Sequence, residues 1–252
     1  MTSTVKAAVK SILRKAGYEV RKFQPKLTYL PEIPHAKLHP LSTYSPWLAD
    51  EVFIQTFRAI QTHTLVDGYR CYELWQLIEQ VGKLETGDVI EVGVWQGGTG
   101  CLIAKRCQLA GINASVYLCD TFRGVVKAGQ FDTAYSGGEH ADSNEQTVKS
   151  LIKKLRLDNA KILAGVFPDD TGSLIEDRRF RFCHIDVDVY QSAKDVIEWI
   201  WGRLVIGAIV VYDDYGFTGC EGITKLVNDE RRRTDRIVVH NLNGHAVVVK
   251  IK

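Results

Sequence analysis

The sequence predicts an α/β fold: a mostly parallel sheet of about seven strands, helices on both faces, an antiparallel C-terminal hairpin and a helical N-terminal extension. Three observations predict it. After Gly87, short apolar runs alternate with helical patterns, as expected of a parallel sheet covered on both sides. The chain ends in two β-rich runs around Asn243-Gly244, a dipeptide that favours a tight hairpin turn. Two of the apolar runs finish on paired carboxylates, in His184-Ile-Asp-Val-Asp-Val-Tyr190 and Val210-Val-Tyr-Asp-Asp-Tyr-Gly216, so charge gathers where buried strands stop.

In chain order, Val5, Val9, Ile12 and Leu13 recur at helical spacing among Lys and Arg, which predicts a basic amphipathic helix up to about Gly17. Five of the six prolines then fall within 25–46, a stretch that should be extended. Residues 1–46 read as helix plus connecting arm, and 47–252 as the main domain. Two helices are expected between Trp47 and Val81, parted near Thr62 to Gly68. Strands are placed at 88–93, 115–119, 160–164, 181–186 and 206–212, with helices at about 98–110, 143–156, 191–202 and 221–232. The insert Lys127 to Asp142 carries Gly129, Gly137 and Gly138 and reads as a mobile lid.

Composition narrows the class. At 252 residues with 45% hydrophobic content, there is material for one sizeable domain. No run of about 18 apolar residues occurs, which excludes a spanning helix. Residues 1–26 hold seven bases and one acid, so the totals of 32 and 30 leave 25 bases against 29 acids in the remainder. A mildly acidic body argues against nucleic-acid binding. Six cysteines show neither Cys-x-x-Cys spacing nor a zinc pattern with histidine, and read as reduced core residues of a cytoplasmic protein. The N-terminus lacks the apolar core of a secretory signal.

Asp186, Asp188, Asp213 and Asp214 carry the chemistry. On an extended strand Asp186 and Asp188 would share one face about 7 Å apart. Asp213 and Asp214 can face one point only if the chain has left strand geometry. Clustered acids repel unless a cation sits among them, and a hard divalent ion such as Mg2+ suits oxygen ligands. The plainer reading is strand-end and helix-capping carboxylates. Asp88-Val-Ile-Glu-Val-Gly-Val-Trp-Gln-Gly-Gly-Thr-Gly100 is a strand entering a glycine-rich turn and then a helix. Trp95 stands where a dinucleotide fingerprint needs its second glycine. At the end of the next strand, Asp120 is placed to grip the two hydroxyls of a ribose.

Five parallel strands closed by an antiparallel hairpin resemble the Rossmann-like sheet of class I methyltransferases. Glu91-Val-Gly-Val-Trp-Gln-Gly-Gly98, Asp120-Thr-Phe-Arg-Gly124, Gly165-Val-Phe-Pro-Asp-Asp-Thr171 and the two acidic segments together resemble the macrocin O-methyltransferase family, from about Thr64 to Val227. The resemblance implies an S-adenosylmethionine- and Mg2+-dependent enzyme that methylates sugar hydroxyls of glycosylated natural products. It implies that Asp186, Asp213 and Asp214 bind the metal, that Asp188 is the general base, and that Asp188 and Asp186 are the catalytic residues. It also implies a cofactor site of Thr64, Val66, Glu91, Gly93, Trp95, Gly97, Asp120, Thr121, Gly165, Val166, Phe167 and Asp186. Two departures stand out: Phe167-Pro168-Asp169-Asp170 replaces the usual aromatic-x-Asp-Thr-Leu, and Val189 stands where related enzymes carry His or Lys.

Tyr135, His140, Tyr190 and Tyr215 are candidate acceptor contacts, whereas His184 reads as a hydrogen-bonded strand histidine. The expected partner is a small sugar-containing acceptor, with no nucleic acid, and the chain is expected to form a homo-oligomer. Three other readings remain at this point: methylation of a catechol-like phenol, a metal-dependent nucleotide-sugar glycosyltransferase using Asp186-Val-Asp188, and a non-catalytic cofactor-binding subunit.

Overall fold

The structure, a computed structural model, describes residues 41–252 together with Val9, Leu13, Lys15, Ile33 and His35. The predicted basic helix and proline-rich arm therefore lie largely outside the described residues, although Val9, Leu13 and Lys15 have helical backbone. After a short 3-10 turn at Pro46–Leu48 come α1 (Glu51–Ile60), α2 (Gly68–Val81), β1 (Asp88–Val92), α3 (Gly98–Leu109), β2 (Val116–Asp120), α4 (Glu145–Leu155) and β3 (Ala160–Ala164). A second 3-10 turn at Gly172–Ile175 leads to β4 (Phe180–Ile185), α5 (Tyr190–Trp201), β5 (Leu204–Tyr212), α6 (Glu221–Glu230), β6 (Arg236–His240) and β7 (Ala246–Lys250). Helix starts follow capping chemistry. Asp50 accepts from Phe53 N at 2.9 Å, Asp67 from Tyr69 N at 2.9 Å, and Asn144 from Thr147 N at 2.9 Å.

The seven strands form one sheet in the order β3-β2-β1-β4-β5-β7-β6. β1 to β5 run parallel, and β7 is antiparallel to both β5 and β6. Side chains alternate between two cores, as strand geometry requires. Val89, Leu118, Phe182 and Val211 face α1 to α4, while Ile90, Cys119, Cys183 and Val210 face α5 and α6. Trp75, Phe182 and Leu102 on the first side are almost fully enclosed, each contributing roughly 1.5–3 kcal/mol by burial.

Two details depart from the sequence expectation. β4 begins with a bulge at Arg181, because Asp88 pairs with Phe180 while Val89 pairs with Phe182. The displaced guanidinium donates to Gly87 O at 2.7 Å, Leu84 O at 2.9 Å and Val81 O at 3.4 Å, tying the strand to the end of α2. The C-terminal hairpin closes through a five-residue loop rather than a tight two-residue turn, since His240 pairs with Ala246. Asn241 explains the difference: its side-chain oxygen accepts from Asn243 N at 2.7 Å and His245 N at 3.1 Å, holding a wider loop in shape.

β1 lies between β2 and β4, so the chain leaves it in opposite directions on its two sides. Ligands of open α/β sheets settle beyond the carboxyl ends of strands at such a reversal. Register places Val92, Ile185 and Tyr212 side by side, which delivers Gly93, Asp186 and Asp213 to that crevice together.

Candidate active site

The ladder continues one residue past each strand: Gly93 N donates to Cys119 O, Asp186 N to Val92 O and Asp213 N to Ile185 O, all at 2.9–3.0 Å. Beyond these points the chain turns. A Cβ on Gly93, whose φ is +93°, would overlap the Asp186 carbonyl oxygen, so only glycine lets β1 and β4 end this close. Trp95 (φ +48°) swings its ring out to Asp142, with Nε1 to Oδ1 at 2.8 Å, and turns its backbone N–H to Asp120 Oδ2 at 2.8 Å. Phe122 N holds the other Asp120 oxygen at 2.7 Å. Backbone donors thus fix Asp120 at the crevice, while burial raises its carboxyl above the usual range.

A cavity of about 330 Å³ opens here. Thr64, Val66, Gly93, Trp95, Asp120, Thr121, Gly165, Val166, Phe167 and Asp186 of the expected cofactor set line it, and Asp188, Asp213 and Asp214 line it too. Glu91 and Gly97 do not belong to the wall. Glu91 is fully buried beneath the turn, its Oε1 2.7 Å from His184 Nδ1, and Gly97 packs toward Val148 as the left-handed cap of α3. Tyr135 and His140 reach the cavity, but Tyr190 packs at a tilt against Phe131, ring centroids 4.9 Å apart, and Tyr215 donates to Asn228 Oδ1 at 2.9 Å instead.

One oxygen each from Asp186, Asp213 and Asp214 lie within 4.8 Å of one another. The strand argument for the first acid pair is corrected: β4 stops at Ile185, and Asp188 sits at φ +63°, a left-handed conformation that Asp tolerates better than most residues. That twist brings Asp188 N to Asp214 Oδ2 at 3.1 Å and Asp188 Oδ1 to the Tyr135 hydroxyl at 2.6 Å. As the sequence required, Asp213 and Asp214 converge because β5 ends at Tyr212.

The electrostatics are asymmetric. Burial and then the neighbouring acids push Asp186 and Asp214 well above the carboxylate range. Burial alone would do the same to Asp213. Contacts from His184 and His245 and the Arg70 charge instead hold it well below. Asp213 Oδ1 is 2.8 Å from His245 Nε2 and 3.5 Å from His184 Nε2, and Oδ2 pairs with Arg70. Behind these, His245 Nδ1 meets Glu73 Oε2 at 2.6 Å. The expectation for His184 is met on one side: Nδ1 is bonded to Glu91, while Nε2 has only the longer ion-pair contact. Arg70, Glu73 and His245 escaped the sequence reading, since each lies in a helix or hairpin far along the chain from the acids they serve.

Three oxygen donors with too little counter-charge suit a hard divalent cation. A second group, Asp188, Asp214 and Cys220, suits one less well, because burial pushes the Cys220 thiol far up and disfavours the thiolate.

The family described as Macrocin-O-methyltransferase (TylF) matches residues 55–246. The chain belongs to this family. Among its relatives is the 8-demethyl-8-(2,3-dimethoxy-alpha-L-rhamnosyl)-tetracenomycin-C 4'-O-methyltransferase of Streptomyces olivaceus, 26% identical over 182 residues, which are 68% of each chain. Another is the mycinamicin III 3''-O-methyltransferase of Micromonospora griseorubida, 26% identical over 196 residues, covering 72% of this chain and 76% of the relative. The O-methyltransferase NovP superposes with a TM-score of 0.63 at 20% identity, covering 75% of this chain and 82% of the other, and so shares the fold. The macrocin O-methyltransferase assignment makes the chain an O-methyltransferase of the class I fold.

Proposed function

We propose that this chain transfers the methyl group of S-adenosylmethionine to a hydroxyl of a sugar on a small natural product, with Mg2+ held by Asp186, Asp213 and Asp214. One observation carries the reading: two buried acids, Asp213 and Asp214, and two half-buried ones, Asp186 and Asp188, open on the same cavity as the glycine turn and Asp120. Both relatives are named as O-methyltransferases of natural products, and the name of the Streptomyces olivaceus enzyme includes a rhamnosyl group, which supports a sugar hydroxyl over a phenol. Six buried, unpaired thiols support a cytoplasmic setting.

The fit to both groups rests on this chain's own atoms. Gly93 leaves the backbone open to close approach, and Asp120, fixed by two backbone donors, keeps acceptor capacity for a ribose diol. When bound, S-adenosylmethionine supplies an electrophilic sulfonium methyl, and Mg2+ supplies positive charge that stabilises a developing alkoxide. Asp188 accepts the hydroxyl proton on its free oxygen, Oδ1 being engaged by Tyr135. The 121–144 segment has no helix or strand and lines the cavity through Thr121, Gly124, Val125, Val126, Tyr135 and His140. Asp132 accepts from Tyr190 N at 2.8 Å, Thr133 donates to Glu221 at 2.8 Å, and Ser192 donates to Val126 O at 2.8 Å, so three bonds pin it down.

The test is transfer of labelled methyl to a panel of glycosylated acceptors, catechols and nucleotide sugars, with Mg2+ or excess EDTA. Sugar methylation abolished by EDTA is expected, with Asp186→Ala inactive yet still binding S-adenosylhomocysteine. Asp188→Asn should keep metal uptake while kcat falls roughly 100- to 10,000-fold. Full activity in EDTA removes the metal from the account.

A further inference from the structure

Asp213 already has a cation. Arg70, in the first turn of α2, donates from Nε to Asp67 Oδ2 at 2.8 Å, pairs through Nη1 with Asp213 Oδ2, and lies 4.8 Å from the centroid of the Phe217 ring. His245 takes the other Asp213 oxygen at 2.8 Å. The three acids of the cluster are therefore unequal. Among the described residues, the Asp186 carboxylate has no hydrogen-bond or ion-pair partner, and that of Asp214 has only the Asp188 N–H, at 3.1 Å.

We propose that Arg70 is a resident counter-ion which competes with the divalent metal for Asp213 and holds the metal affinity of the site down. The inference rests on the metal reading above and adds a regulator to it. An ion sharing Asp213 with a guanidinium sits within a few ångströms of a like charge, and at an effective dielectric of about 20 that repulsion exceeds what a tenfold change in affinity requires. Arg70 cannot retreat to water at no cost, because it is buried and is held at once by Asp67, Asp213 and the Phe217 face. The metal-free protein thereby keeps one acid of the cluster neutralised, and metal entry means displacing or crowding a bound cation. The planar fork reaches Asp67 through Nε and Asp213 through Nη1 at once.

The experiment is a titration of the full-length protein with Mn2+, read by the loss of the free-ion electron-resonance signal, for wild type, Arg70→Met, Arg70→Gln and Arg70→Lys. Asp186→Ala serves as the site-null reference. The neutral variants are expected to bind Mn2+ roughly tenfold or more tightly than wild type, with Lys, which keeps the charge, within about threefold of wild type. Gln retains a donor toward Asp213 and keeps the test valid should Met fail to fold. Neutral variants that bind no tighter than wild type, or more weakly, overturn the inference, as does a Lys variant that binds as tightly as Met. Absence of Mn2+ uptake by wild type and by every Arg70 variant alike removes the metal reading itself, so the two failures are distinguishable.

Discussion

At Asp213, two oxygens are shared among Arg70, His184 and His245, and each of those contacts favours the ionised carboxylate. His184 answers in kind. Burial opposes its charge, yet contacts with Asp213 and Glu91 push it up to about 9 from an ordinary 6.5. A histidine raised on folding contributes stability that is complete below the unfolded value and is lost as pH climbs through the folded one. The expected outcome in metal-free protein is a melting-temperature gap between wild type and His184→Gln that is widest near pH 6 and closes between about 6.5 and 9. A gap that stays constant across this window would show that His184 acts through packing alone. Glu91, expected from sequence to touch the cofactor, supports His184 instead; nothing in a Glu-x-Gly pattern says which face of β1 is open.

Among the elements, the strand-to-turn junctions matter most. Positions 93, 186 and 213 meet because parallel register carries β1, β4 and β5 to the same level, and the bulge at Arg181 contributes to that register. Arg181→Met would take the side-chain donor from the carbonyls of Gly87 and Leu84, while Val81 O keeps the Leu84 N–H at 3.0 Å. A loss of roughly 1–3 kcal/mol in urea unfolding is expected, with little change in S-adenosylhomocysteine affinity. The alternation of apolar runs with helical patterns made the strands and most helices readable to within a few residues, because burial on both faces forces continuous apolar stretches. The acid cluster was readable for the same reason: four carboxylates stand where two such stretches end, and like charges gathered there call for a cation. The left-handed twist at Asp188 and the five-residue hairpin loop were not, since both depend on hydrogen bonds made by distant or neighbouring side chains rather than on periodicity.

Over the whole molecule, two cores sandwich one sheet, and all six cysteines are buried in or beside them. Burial is the leading cause that pushes every one of these thiols up, Cys107 to about 12. The folded protein should therefore resist Ellman's reagent, with all six groups reacting only after denaturation. Rapid labelling of the native chain would point to an opening of the core. Charge asymmetry and composition gave no hint of Arg70, Glu73 or His245, because long-range pairing leaves no local trace in the order of residues.

The hairpin has one more bearing. His245 begins the final strand's approach and Asn241 ends the one before it, and both reach Glu73 on α2. Through that bridge the extreme carboxyl region is wired to an acid at the heart of the crevice. Deleting residues 241–252 is therefore expected to weaken methyl transfer while every aspartate of the cluster stays in the chain, because Asp213 would lose His245, and Glu73 both of its hairpin partners.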